Sequence, residues 1–398
     1  MKRSSGSFMS GSSSFRGDAP PDLRTDPALA ARRGPPDGGA GSPLEARTDA
    51  IDPLPFVRLL EDVRPRVEEA LQRSWEAALR QHGDLGPAVE APLSAARELC
   101  LRGGKRLRAA LVAVGYQIAS GRSLIEPCLP VCCAVELLHS YFLIHDDWMD
   151  QDELRRGGPA VHAELARQFG SVHLGAAAAV LAGDYTLALA TRELTRADLP
   201  PERRAHVLDR FAAMQLDVVA GQQLDVLGGL PGAEPQLDDV YRLKTGSYTV
   251  LGPLELGAAL CDVSAELRAA LEQFAVPLGI AFQLRDDLLG AFGASAQTGK
   301  PRGSDLIAGK RTLLLQAALT DARASHRINA VLGQPGAPAA DVEAALDAIQ
   351  ACGARDRVEA RIVELTQRSL EVLDSGRFDA GGRALLGGVL RALLDRGV

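Results

Sequence analysis

From Phe56 onward, apolar residues recur at steps of three and four. Leu59, Leu60, Val63 and Val67 set the pattern, which is that of one buried helical face. The same spacing predicts helices over 92–102, 106–120, 126–148, 159–169, 171–194, 201–227, 237–261, 264–292, 310–321, 341–350 and 355–374, and a last one through Leu385 to Leu394. Between them fall breaks rich in Gly, Pro or Asp: Gly103-Gly104, Gly157-Gly158-Pro159, Gly228-Gly229, Gly299-Lys300-Pro301 and Gly333-Gln334-Pro335. No strand-like alternation of useful length appears, and no repeat of solenoid length stands out. The pattern predicts an all-α fold. Its polar signals run from Gly103 to Lys310, which favours one large helical domain over residues 53–398.

The first 52 residues lack this periodicity. Seven serines fall among the first fourteen residues, and eight of the 23 prolines precede Phe56. Such a segment buries too little apolar surface to offset its ordering entropy, so residues 1–52 are expected to be a disordered tail without a catalytic role. Taken over its whole length the chain has the composition of a globular protein, 46% hydrophobic and 24% charged. Aromatics are only 4%, and the abundance of Ala, Leu, Arg, Glu and Gln favours helix. A net charge of −7 argues against a nucleic-acid partner, because a phosphate backbone rewards a basic face. Lys2 and Arg3 are followed by no apolar core of a secretory signal. The most apolar stretch, Leu174 to Leu189, is broken by Asp184 and is read as too short to span a bilayer. The six cysteines (Cys100, Cys128, Cys132, Cys133, Cys261, Cys352) form no CxxC pair, which suits buried thiols in a reducing, cytoplasmic setting.

The strongest chemical signal is HSYFLIHDDWMDQDELRRGGPAVH, residues 139–162. Asp146 and Asp150 lie one helical turn apart, about 5.4 Å along the axis, on one face. With Asp147, Asp152 and Glu153 beside them, they call for a cation. Few carboxylates completed by water and phosphate are the preference of Mg²⁺. The plain alternative, a solvated acidic helix end, fits poorly with the apolar run Tyr141 to Ile144 directly before the acids. A second acidic pair, Asp286-Asp287, ends the apolar segment GIAFQLRDDLLG at 279–290, with Gln283 one turn earlier. Two such helices facing across a cavity would let several Mg²⁺ ions bridge one polyphosphate.

Cations complement these acids. Lys105, Arg106 and Arg108 follow Gly103-Gly104, Arg155-Arg156 follow the first acids, Lys244-Thr245-Gly246 interrupts a helix, and Lys300 and Lys310-Arg311 flank a Gly-rich loop. Each alone reads as surface charge. Together they fit a site for two anionic head groups, with Arg forks matching phosphate oxygens and lysines acting as point charges. His139, seven residues before Asp146, could donate to the same anion. Gln222 and Asp225 share a helical face; an inter-helix hydrogen-bonded pair and a direct role in the site suit them equally.

The set GGKRLR, HDDWMDQDELRRG, GQQLD, KTGSYT, GIAFQLRDDLLG and TGKPRGSDLIAGKRT resembles the trans-isoprenyl diphosphate synthases, the polyprenyl synthetase family, over roughly residues 60 to 395. The resemblance implies an all-α bundle around a deep cavity, usually a homodimer, that joins an allylic diphosphate head-to-tail to isopentenyl diphosphate with Mg²⁺, three ions per site. Carried over, Asp146 and Asp150 would bind Mg²⁺ from one wall and Asp286 the third ion from the other. Gly104, Lys105, Arg108, His139 and Arg156 would hold isopentenyl diphosphate. Arg155, Lys244, Thr245, Gln283, Lys300 and Lys310 would hold or flank the allylic diphosphate, with Arg155 and Lys244 counted among the catalytic groups. Gly290 stands where many members have a third aspartate, which touches the metal stoichiometry.

Two other readings belong to different classes. A non-catalytic subunit of a heteromeric synthase would lack the first aspartates or Arg155-Arg156, all of which are present. A class I terpene cyclase would want an Asn/Ser/Glu metal triad downstream, which is missing from the expected place. Within the resemblance, product length is set four and five residues before Asp146, by Phe142 and Tyr141. These lie about 6 and 7.5 Å deeper along the helix. Two rings there imply a floor and a short product, C15 farnesyl or C20 geranylgeranyl diphosphate.

Overall fold

The structure, a computed structural model, describes residues 43–228, 230, 235–293 and 302–394. The expectation for residues 1–42 lies outside the described residues, as does Lys300. In chain order the helices are α1 (Pro43–Asp49), α2 (Leu54–His82), α3 (Pro87–Leu101), α4 (Leu107–Ser120) and α5 (Leu129–Met149), and a two-residue hairpin follows, β1 (Leu154–Arg155) with β2 (Gly158–Pro159). Then come α6 (Val161–Phe169), α7 (Val172–Thr195), α8 (Pro201–Leu227), α9 (Leu237–Val240), a π-helix over Tyr241–Leu251, α10 (Gly252–Ala258) and α11 (Ala265–Phe292). The last six are α12 (Ser304–Ile307), α13 (Leu313–Leu319), α14 (Ala322–Asn329), α15 (Ala339–Ala351), α16 (Ala354–Asp374) and α17 (Ala380–Leu394). From Arg47 onward they belong to one unit.

Local chemistry sets most boundaries. Ser171, Ser264, Thr312 and Asp321 each cap a helix start through a side-chain oxygen. Proline opens α2, α3, α5 and α8, where its missing N–H costs nothing. The core is built around α5, whose Val131 to Leu138 are buried. It lies between α7 and α4, and α10 in turn packs on α4. On the other side α11 packs on α16 and on the π-helix. There Leu284, Leu288, Leu315, Leu346 and Leu365 share one apolar cluster. Burying each such side chain is worth about 1.5–3 kcal/mol.

The helical spacing of the sequence is reproduced closely, and α8 spans the expected 201–227. Four differences have physical causes. Lys244-Thr245-Gly246 does not interrupt its helix; the backbone widens to i→i+5 pairing over Tyr241–Leu251 and continues. Helix α14 buries only Ala324 and Ile328, too sparse a pattern to stand out. Helix α7 matches the expected 171–194, but where its apolar stretch was read as too short to span a bilayer, it and the α5 segment are by length and composition able to cross a membrane. Both, however, pack side by side in the bundle. Finally, residues 43–49, placed in the expected tail, form α1. Behind it Arg391 donates to the carbonyls of Thr48, Asp49 and Ile51 at 3.2, 2.9 and 3.3 Å, so the ordered chain begins before residue 53.

Arg391→Ala removes these charge-assisted bonds. It should lower unfolding stability by about 1–3 kcal/mol, read as a lower denaturant midpoint with an unchanged slope.

Candidate active site

Helix α5 carries the first acidic wall. Asp146 and Asp150 share one face, while Asp147 turns the other way and is fully buried. Asp147 accepts from Arg155 Nε at 2.7 Å and from its Nη2, and Arg155 also reaches Asp152 at 3.2 Å. Burial pushes the Asp147 carboxyl up, against the pull of Arg155. Asp150 is pushed up to about 6, first by burial and then by Asp146; Lys310 and Lys244 oppose this. Asp147 therefore belongs to the structure of the turn, and Asp146 and Asp150 face the cleft.

The second wall is α11. Asp287 is buried, accepting from Tyr241 Oη at 2.7 Å and from Gln283 Nε2 at 2.8 Å. Burial raises its carboxyl to about 7 despite these two donors. Gln283 Oε1 accepts from Thr245 Oγ1 at 2.9 Å. Thr245 and Gln283, expected beside the allylic diphosphate, thus form a relay that holds Asp287 and leaves the half-buried Asp286 as the outward acid of this wall.

Two lysines lie between the walls. Lys244 Nζ sits 2.5 Å from Asp225 and 3.5 Å from Asp146. Burial alone would depress it, but Asp146 and Asp225 outweigh that and hold it well above the usual lysine range. Gln222 donates to Asp146 at 3.0 Å. The Gln222/Asp225 face of α8 is therefore in the site. It approaches closely because Gly221 packs on the Lys244 backbone, where a Cβ would collide with Leu243 and Lys244. Lys310 Nζ lies 4.0 Å from Asp150 and 3.7 Å from Asp305.

About two turns before Asp146, beside His139 in the middle of α5, lies a basic pocket. Gly103 and Gly104 take φ of 80° and 132°, and the Arg156 guanidinium packs beside Gly104 and donates to Gly103 O at 3.0 Å. Lys105 follows in the same loop. Arg108 stacks 4.5 Å over the Tyr248 ring and donates to Thr249 Oγ1 at 3.1 Å. His139 is held well below the ordinary histidine range by burial and by Arg108, Arg156, Arg155 and Arg106. Arg156 is also lowered, mainly by burial. His139 Nδ1 and Arg108 Nε are buried and find no hydrogen-bond partner among the described residues. Crowded cations with buried orphan donors are the chemistry of an anion site.

The sequence reading misplaced one contributor, Arg106, and missed three others. Arg106, with φ 52°, is buried with Glu136 at 3.2 Å and donates to Cys100 O at 2.9 Å, so it fixes the loop that carries Lys105 and leads into the first turn of α4, where Arg108 lies. Arg102 donates to Arg155 O and Pro159 O at 3.0 and 2.8 Å, clasping the hairpin that bears Arg155 and Arg156. Tyr248, inside the quoted KTGSYT segment, joins Arg108, His139 and Phe142 in one contact chain. Asp305 stands over Gly290. A run of several arginines does not reveal which one is internal, so charge patterning could not separate Arg106 from Arg108. Tyr141 packs on Phe142 and on His145, with centroids 5.1 and 4.6 Å away. Phe142 meets Tyr248 edge-on at 5.3 Å. The two rings therefore lean toward different neighbours.

Among the described residues, no group of three or more His, Cys, Asp or Glu side chains forms a metal cage. The donors fit Mg²⁺ nonetheless, since this ion keeps waters and takes one or two carboxylates plus substrate phosphate. Asp146 and Asp150, which repel each other, supply that pair.

The helical fold and this two-walled acidic cleft with a basic pocket define a prenyltransferase. The chain belongs to the polyprenyl synthetase family, whose model matches residues 90–349. It is 35% identical over 305 residues to the farnesyl diphosphate synthase of Geobacillus stearothermophilus, covering 73% of this chain and 94% of that protein. It is 37% identical over 276 residues to a geranylgeranyl diphosphate synthase of Mycobacterium tuberculosis, covering 66% and 75%. A crystal structure of geranylgeranyl pyrophosphate synthase from Corynebacterium glutamicum, complexed with isoprenyl diphosphate and magnesium, superposes with a TM-score of 0.78 at 34% identity, over 85% of this chain and 99% of that one.

Because the folded pKa of Asp150 is raised, its contribution favours the folded state below the ordinary carboxylate range and is lost as pH rises through about 6. In EDTA, Asp150→Asn should stabilise the protein at pH 8 by about 1–3 kcal/mol and have little effect near pH 3. Equal effects at both values would contradict the raised pKa.

Proposed function

We propose that the chain is a Mg²⁺-dependent short-chain synthase, condensing a dimethylallyl, geranyl or farnesyl diphosphate head-to-tail with isopentenyl diphosphate to release diphosphate and a C15 or C20 product. The observation that carries this is the separation of two anion sites along α5: acids bridged by Lys244 and Lys310 at one place, and the Arg108–Arg156–His139 pocket with its orphan donors at another. One site suits an allylic diphosphate and the other isopentenyl diphosphate. The names of the relatives, farnesyl and geranylgeranyl diphosphate synthase, support the length range.

Asp146, Asp150 and Asp286 would hold Mg²⁺, three ions by the resemblance, and the bound metal supplies neutralisation of charge on the leaving diphosphate. Lys244 and Lys310 orient the allylic diphosphate and stabilise the electron pair it gains as the C1–O bond breaks. Arg155, engaged by Asp147 and Asp152, acts in this reading chiefly by placing the hairpin. Gly104, Lys105, Arg108 and Arg156 fix isopentenyl diphosphate so that its alkene meets C1. His139, kept neutral among arginines, donates one N–H without adding charge. The apolar body of α5 excludes water from the allylic cation. In this reading the released diphosphate accepts the final proton. Tyr141 and Phe142 form the floor, with Tyr248 backing Phe142. The exposed Val172, Leu174 and Leu181 on α7 suit burial against a second copy, in a homodimer. The six free cysteines suit a reducing cytoplasm.

Labelled isopentenyl diphosphate supplied with each allylic primer should give C15 or C20 products, none in EDTA. Tyr141→Ala with Phe142→Ala should lengthen them by one isoprene unit or more. Full turnover in EDTA refutes the metal assignment, and an unchanged product length refutes the floor.

The two head-group sites separate kinetically. Arg156→Ala should raise KM for isopentenyl diphosphate about 10–100-fold, and Lys244→Ala should chiefly impair the allylic substrate, each losing a charge-assisted contact. Equal effects of both variants on both substrates would refute the partition.

A further inference from the structure

Gly290 lies one turn beyond Asp286 on α11. A Cβ built there would be driven into the Asp305 carboxylate, with Cγ only 2.6 Å away. The carboxylate thus fills the volume that any side chain at 290 would claim. The loop is anchored beside it, since Gly303 N–H donates to Ala291 O at 3.1 Å. From this seat Asp305 holds Lys310 at both ends: its carbonyl accepts the Lys310 N–H at 3.0 Å, and its carboxylate lies 3.7 Å from Lys310 Nζ. The ammonium in turn stands 4.0 Å from Asp150 on the opposite wall.

We propose that Gly290 is the socket for Asp305, and that Asp305 seated there is the positioning residue that aims Lys310 across the cleft. The inference rests on the reading of Lys310 as a residue that holds the allylic diphosphate. Gly290 is then no lost ligand. It exchanges a carboxylate on α11 for one delivered by the following loop, and with it comes a lysine held between the walls. A side chain at 290 expels the Asp305 carboxylate and frees the long, flexible lysine, whose rotamer entropy must then be lost on binding.

The test is calorimetric titration of inorganic diphosphate with Mg²⁺ into the full chain and its variants. Lys310→Ala should weaken binding about tenfold or more. Gly290→Ala and Asp305→Asn should each weaken it by about fivefold to tenfold, with no further loss when combined with Lys310→Ala, because the three act through one group. Gly290→Ala with Asp305→Gly, which relieves the collision, should regain the parent melting temperature but not its affinity. Parent-like binding by Gly290→Ala, or losses that add in full to that of Lys310→Ala, overturns the socket while leaving Lys310 in the site. Parent-like binding by Lys310→Ala overturns the diphosphate reading of Lys310, and this inference with it.

Discussion

Carboxylates gathered on two facing helices repel one another, and the centre of this fold is arranged around that repulsion. Asp146 and Asp150 share a face of α5, and burial together with Asp146 raises Asp150 to about 6. Lys244 and Lys310 offset the excess charge from elements outside α5, the first from the π-helix and the second from the loop after α12. Everything that sets the distance between the walls serves this balance. Gly221 lets α8 reach the π-helix, and the Tyr241–Asp287–Gln283–Thr245 chain locks α11 to it.

The basic pocket poses the converse problem. Arg106, Arg108 and Arg156 crowd round His139, which stays neutral there. Among the described residues, Arg106 is the one of these three that is ion-paired, with Glu136 and Glu68. An anion with several oxygens relieves the remaining excess and satisfies the orphan donors. The same helix therefore carries excess negative charge at Asp146 and Asp150 and, about two turns earlier at His139, lies against excess positive charge.

Much of this was legible in the sequence. Helix spacing placed α8 and α11 to within a residue, because long amphipathic helices leave an unambiguous period. The outward acids and the cations were found by type and spacing. What escaped depends on three-dimensional packing. Nothing in the spacing of Tyr241–Leu251 announces i→i+5 pairing. Arg106 differs from Arg108 only in being turned inward. Asp287 and Asp147, each adjacent to a cleft-facing acid, are structural because a rotation of one residue carries the side chain to another face of the helix. Asp305 escaped because its meaning lies in the empty space above Gly290, which a linear sequence does not display.

The buried Arg106–Glu136 pair ties the two halves of the site together. Arg106 holds a left-handed backbone conformation that an L-residue adopts only where its surroundings enforce it, and Glu136 also receives the Ala109 N–H at 3.2 Å. The anion loop therefore has no native shape until α5 is in place beside α4. The helix that brings the first-wall acids is the helix that shapes the loop. One helix thus governs both halves of the cleft, and a change in its seat against α4 is felt at the acids and at the arginines together.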